Sequence, residues 1–153
     1  LCEGAYWDGL ADRQALHKAD TPCDERAYLH FSFGAYHGHG ECCWRLGDLV
    51  AAGRGCASSA ARAFSLYRRA FDLESGRIDE DRASTGNAAL RLARAFELGR
   101  GCEQDFRRAR TWYRLAAIGL GAAFDAGQWH FKRERIEARR GVARMAQEIA
   151  GTY

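Results

Sequence analysis

The chain has 153 residues, 47% of them hydrophobic and 28% charged, the profile of one soluble globular domain. No run approaches the ~18 consecutive apolar residues of a membrane span. The 23 basic side chains are nearly matched by 20 acidic ones, for a net charge of +3; nucleic-acid binding calls for a larger excess and is not expected.

Alanine occurs 28 times, Val, Ile and Thr together ten times, and Pro22 is the only proline. Alanine favours helix and β-branched residues favour strand, so the chain reads all-α. In chain order, helices are predicted near residues 4–17, 24–37, 41–52, 58–73, 85–98, 104–117, 121–133 and 136–150. With Leu1 first and Met145 the sole methionine, the native start is expected to be missing, which makes a signal peptide illegible.

The predicted helices fall into a repeat. Leu46-Gly47, Gly53, Gly55, Cys56, Ala63, Tyr67 and Ala70 recur at the same offsets as Leu92-Ala93, Gly99, Gly101, Cys102, Ala109, Tyr113 and Ala116. The template fits earlier at Leu10-Ala11, Ala27, Phe31 and Gly34, and later at Ala126-Gly127, Ala143, Gln147 and Ala150. Unit starts therefore fall near 10, 46, 92 and 126. Small residues at fixed offsets let helices pack closely. The Gly-Arg-Gly turns suit a left-handed helix end. Each unit reads as a first helix (A), a glycine turn and a second helix (B).

These residues resemble the Sel-1-like repeat, a relative of the tetratricopeptide repeat. The best copy runs from Leu92 to Gly119 and includes Phe96, Asp105, Trp112 and Ala117. The resemblance implies a right-handed α-solenoid of eight helices and four repeats, a single domain over residues 1–153. It implies a non-catalytic protein–protein interaction module with no cofactor, whose A helices line a concave binding face. Short members of the family resemble adaptors, scaffolds and periplasmic immunity proteins that neutralise secreted toxins. A cysteine-rich secreted branch raises the rival reading of a hydrolase acting on cell-wall or β-lactam substrates.

On the A helices, the residue before and the second after each unit start are Gly9 and Asp12, Arg45 and Asp48, Arg91 and Arg94, Asp125 and Gln128. They form an i,i+3 polar stripe. Asp12, Arg45, Asp48, Arg91, Arg94, Asp125, Gln128 and neighbouring Trp129 are the candidate partner-binding residues; Arg45, Arg91 and Arg94 are expected to be exposed. The segment 75–87 is longer than a helix connection needs and reads as an inserted loop. The densest basic run, from Lys132 to Arg144, reads as a solvated helix face laced with i,i+3 and i,i+4 ion pairs.

Six cysteines without a CxxC spacing suit disulfides in an oxidising compartment, so a periplasmic or secreted location is expected. Cys2, Cys23, Cys42 and Cys43 are the disulfide candidates, with a bridge from Cys2 to Cys42 or Cys43 preferred. Cys56 and Cys102 sit on successive repeats, too far apart to pair. His37, His39, Cys42 and Cys43 match no common zinc spacing, so no metal is expected.

Overall fold

The computed structural model describes residues 23–76 and 82–152. Among them are six α-helices and one 3-10 turn: α1 (Cys23–Tyr36), α2 (Gly40–Ala52), α3 (Ala60–Glu74), α4 (Arg82–Leu98), α5 (Phe106–Asp125), the turn Trp129–Phe131 and α6 (Lys132–Gly151). The described residues contain no strand. None of the helices is long and apolar enough to cross a membrane.

Local chemistry sets the helix ends. Ser59 and Asp105, at the same place in successive repeats, accept the backbone N–H of Arg62 (3.2 Å) and Arg108 (2.9 Å) and cap α3 and α5. Such a cap is worth about 1 kcal/mol. Gly53, with φ of 68°, and Gly99, with φ of 65°, take the left-handed conformation just past α2 and α4, where a side chain would be strained.

Packing then follows the repeat. Ala63, Ala70, Ala109 and Ala116 are all buried, so the B helices lie close to the A helices at these points. Phe64 meets Phe96 edge-on at 5.5 Å, and Phe71 meets Trp112 at 4.8 Å. These pairs join the two repeat cores into one. Backbones of α2, α4 and α6 approach one another in succession, while α3 and α5 meet through larger side chains. The A layer is therefore the inner side of the array.

Three expectations are corrected. Residues 104–117 and 121–133 do not form two helices, because α5 continues to Asp125. Ala109, Tyr113, Ala116, Leu120 and Ala123 are buried at alternating steps of four and three, so the apolar stripe carries the helix past Gly119. The stop comes at Gly127, with φ of 94°. The array consequently shows six helices rather than the seven predicted over the described residues; the predicted helix 4–17, with Asp12 and Cys2, lies outside them.

The fourth unit also changes role. α6 packs on α5 and α4 and occupies the place of an A helix. Ala138, Gly141 and Met145 are its buried residues, while Ala143 and Ala150, placed inside by the template, are exposed. Finally, the inserted loop is shorter than 75–87, since α4 starts at Arg82 and Ala83–Asn87 are buried. The reason is a close crossing: a Cβ on Gly86 would lie 2.7 Å from the Leu120 backbone nitrogen, and one on Gly119 would lie 2.9 Å from the Arg82 carbonyl.

Candidate functional site

The inner layer carries a ladder of ion pairs. Asp48 of α2 accepts both Nε (2.6 Å) and Nη2 (2.7 Å) of Arg91 from α4, and the Tyr67 hydroxyl of α3 at 2.9 Å. Glu97 of α4 repeats the arrangement one repeat on. It accepts Nε (2.6 Å) and Nη2 (2.8 Å) of Arg144 from α6, and the Tyr113 hydroxyl of α5. Between the two rungs, Arg94 of α4 grips Glu137 of α6 through Nε and Nη2. Each rung joins a B-helix tyrosine, an acid from the A helix of that repeat and an arginine from the next A helix.

Electrostatics follow from this placement. Hydrogen bonding to Arg144 holds the Glu97 carboxyl below its ordinary range, against the cost of burial. Burial, reinforced by the carboxylate each one faces, pushes the Tyr67 and Tyr113 hydroxyls well above the ordinary tyrosine range. Both hydroxyls therefore act as donors at any physiological pH.

Beside the first rung lies a cleft of about 290 Å³. Its apolar lining is Ala51, Ala60, Ala63, Phe64 and Ala95, and its polar lining includes Asp48, Arg91, Arg94 and Arg100. Asp48, Arg91 and Arg94 are spent on the ladder. Arg100 is exposed and makes no ion pair among the described residues. The cleft thus offers a small apolar floor and one uncommitted cation, the geometry for an apolar side chain next to a carboxylate.

The structure brings Asp48, Arg91 and Arg94 together at this cleft. Arg91 was expected to be exposed; its side chain is only 12% exposed, because it lies between Asp48 and the Trp44 ring, 4.1 Å from the ring centroid. Arg45 pairs with Glu41 at 2.7 Å and also lies over Trp44, 4.5 Å from the ring centroid. Asp125 and Gln128 are not an i,i+3 pair on a helix: Asp125 ends α5 and Gln128 precedes the 3-10 turn. Gln128 lines a second cleft of about 260 Å³ with Glu41, Trp44 and Phe131, and Trp129 beside it is 68% exposed. Sequence reasoning missed Glu97, Arg100, Glu137 and Arg144. The first two lie outside the template offsets used for the stripe, and the others follow the misread fourth unit.

None of the five described cysteines is in a disulfide. Cys43 is fully buried, with its thiol directed at the Ala35 carbonyl at 4.0 Å, and Cys42 packs on Gly34. Cys23, Cys42 and Cys43 therefore form no bridge with one another, and the preferred partner Cys2 lies outside the described residues. Burial pushes the Cys43 thiol up to about 11. Among the described residues, no group of three or more His, Cys, Asp or Glu side chains converges to hold a metal; His37 stacks on Phe33 instead.

The Sel1 repeat family model matches residues 40–75 and 86–118, the spans of α2–α3 and of most of α4–α5. These two segments are Sel1 repeats. Sel1 repeats are protein–protein interaction modules, and both matched repeats contribute residues to the 290 Å³ cleft. No curated protein matches the chain as a relative.

Proposed function

We propose that this Sel1-repeat protein is a non-catalytic inhibitor that binds a secreted effector enzyme in an oxidising compartment such as the periplasm. The observation that carries the reading is the cleft between the two matched repeats. Its inner charges are internally satisfied, which leaves Arg100 as the group available to a ligand. A partner would seat an apolar side chain over Ala51, Ala60, Ala63 and Phe64 and set a carboxylate against Arg100. The resemblance to periplasmic immunity proteins supports the compartment and the inhibitory role; the five described cysteines, which form no disulfide, do not add to it.

The test takes as probe the product of any adjacent gene that encodes a secreted hydrolase. Calorimetric titration should give a one-to-one complex, and the hydrolase should lose activity in proportion to the complex formed. Arg100→Glu should weaken binding by about tenfold or more, as expected for a charge-assisted contact near the centre of an interface. Binding without loss of hydrolase activity would leave an adaptor rather than an inhibitor. Unchanged affinity for Arg100→Glu would remove the cleft as the site.

A further inference from the structure

The basic run on α6 is not the self-neutralised face its sequence suggests. Glu137 is turned away to Arg94, and Glu134 faces inward with Oε2 buried. Lys132, Arg133, Arg139 and Arg140 are all exposed, and none makes an ion pair among the described residues. The surrounding charge does not compensate: residues 106–152 carry ten basic and four acidic side chains.

The arrangement of these cations is specific. At about 100° per residue, Ile136, Ala143 and Ala150 fall along one line of α6, seven residues apart. Ile136 is 39% exposed, and both alanines are exposed. Lys132 and Arg139 flank this line on one side, Arg133 and Arg140 on the other. A narrow apolar seam between two rows of charge is the pattern by which paired helices choose partners: the seam gives contact area and the flanking charges select orientation and identity. The alanines allow a second backbone to come close.

We propose that the outer face of α6 docks an amphipathic helix of a partner protein whose apolar stripe is flanked by Asp and Glu. Charge complementarity selects this occupant. A second α6 from another copy would set like charges against each other. A phosphate backbone would meet the uncharged seam of Ile136 and Ala143 where it needs cations. The surface is separate from the cleft and does not depend on it.

The probe is a synthetic helix three heptads long, with Leu at a and d and Glu at e and g, compared with a twin carrying Lys at e and g. Binding to the full chain is read by fluorescence anisotropy at two salt concentrations. The Glu helix should bind about tenfold or more tighter than the Lys twin, with affinity falling as salt rises. Arg133→Glu with Arg140→Glu should lower that affinity by about tenfold or more. Ile136→Asn should lower it severalfold at both salt concentrations, because it removes the seam and not the charge. Arg69→Glu with Arg114→Glu, the same change of charge on exposed residues off α6 and away from Arg100, should leave it within about twofold.

Three results would overturn the proposal. One is a Glu helix indifferent to Ile136→Asn, which is charge attraction alone. Another is an equal loss with Arg69→Glu and Arg114→Glu together, which is net charge alone. The third is tighter binding of a DNA duplex or of phosphatidylserine vesicles through the same arginines. If the double reversal melts early, Lys132→Gln with Arg139→Gln tests the opposite row, and unchanged affinity there refutes the docking face equally.

Discussion

The rung formed by Tyr67, Asp48 and Arg91 should stabilise the array more than any solvent-exposed pair on it. The perturbation is Asp48→Asn, which keeps the size and an acceptor for the Tyr67 hydroxyl but removes the charge. Arg91 is 12% exposed while Asp48 is 41% exposed, so the pair is intermediate between surface and core. Losing one partner of a fully buried pair costs about 3–5 kcal/mol, and an exposed pair contributes about 0–1 kcal/mol. Arg91 would keep its bonds to Asn87 at 3.0 Å. The expected cost is therefore about 2 kcal/mol, or a fall in melting temperature of roughly 4–8 °C for a domain of this size. Glu41→Gln, which breaks the exposed Arg45 pair, should cost no more than about 0.5 kcal/mol. Urea unfolding followed by circular dichroism measures both, and a cycle with Arg91→Met isolates the coupling, expected near 1–2 kcal/mol. A coupling below about 0.3 kcal/mol, or equal costs for Asp48→Asn and Glu41→Gln, would refute the inter-repeat clamp.

Three further outcomes are expected. Gly119→Val should destabilise by about 3 kcal/mol or more, since its new atoms meet backbone of α4 that cannot move aside; Gly121→Ala, with nothing within 4 Å, should be neutral or stabilise by up to ~1 kcal/mol. Thermal melts of both variants decide this. The depressed Glu97 carboxyl contributes stability that is fully present above its unfolded value, near 4.5, and is lost as pH falls through the lower folded value. Unfolding measured between pH 7 and 2 should show a smaller acid loss in Glu97→Gln than in the parent. After full reduction, alkylation mapped by mass spectrometry should modify exposed Cys23 first and buried Cys43 last. With its thiol near 11, Cys43 is only ~0.1% thiolate at pH 8, and early labelling there would mean that α1 does not pack on α2 as described.

The helical class and the two central repeats were legible because their signals are local and periodic. Ala63, Tyr67 and Ala70 and their counterparts Ala109, Tyr113 and Ala116 lie on buried faces where the template places them. The extent of α5 was not legible, because Gly119 and Gly121 resemble a repeat boundary. What decides the matter is a non-local fact: Gly119 is needed where α5 crosses Gly86 of α4, so there it permits a crossing rather than ending a helix. The same crossing draws residues 82–87 into α4, and one unseen contact accounts for both errors. The fourth unit then failed as a consequence, and with it the placement of Asp125 and Gln128.

The candidate site was half legible for a related reason. A charged pair in each A helix appears in sequence whether it meets solvent, a partner or the next repeat. Distance settles it for Asp48, Arg91 and Arg94, which are engaged across repeats. A repeat array has to fix the rotation of each unit on the previous one, and apolar alanine contacts slide easily. Bidentate arginine–carboxylate pairs have a fixed direction and can supply that register. Selection for register alone would therefore place alternating charges along the inner layer. Charge in the stripe is then weak support for binding, and charge left over after internal pairing is stronger. Arg100 at the cleft and the four cations of α6 are such remainders. The two sets also differ in what removing them should do: Arg91→Glu should lower stability and binding together, whereas Arg100→Glu or Arg133→Glu should leave the melt unchanged within about 0.5 kcal/mol. Equal losses of stability from all three would mean that the remainder, too, belongs to the fold.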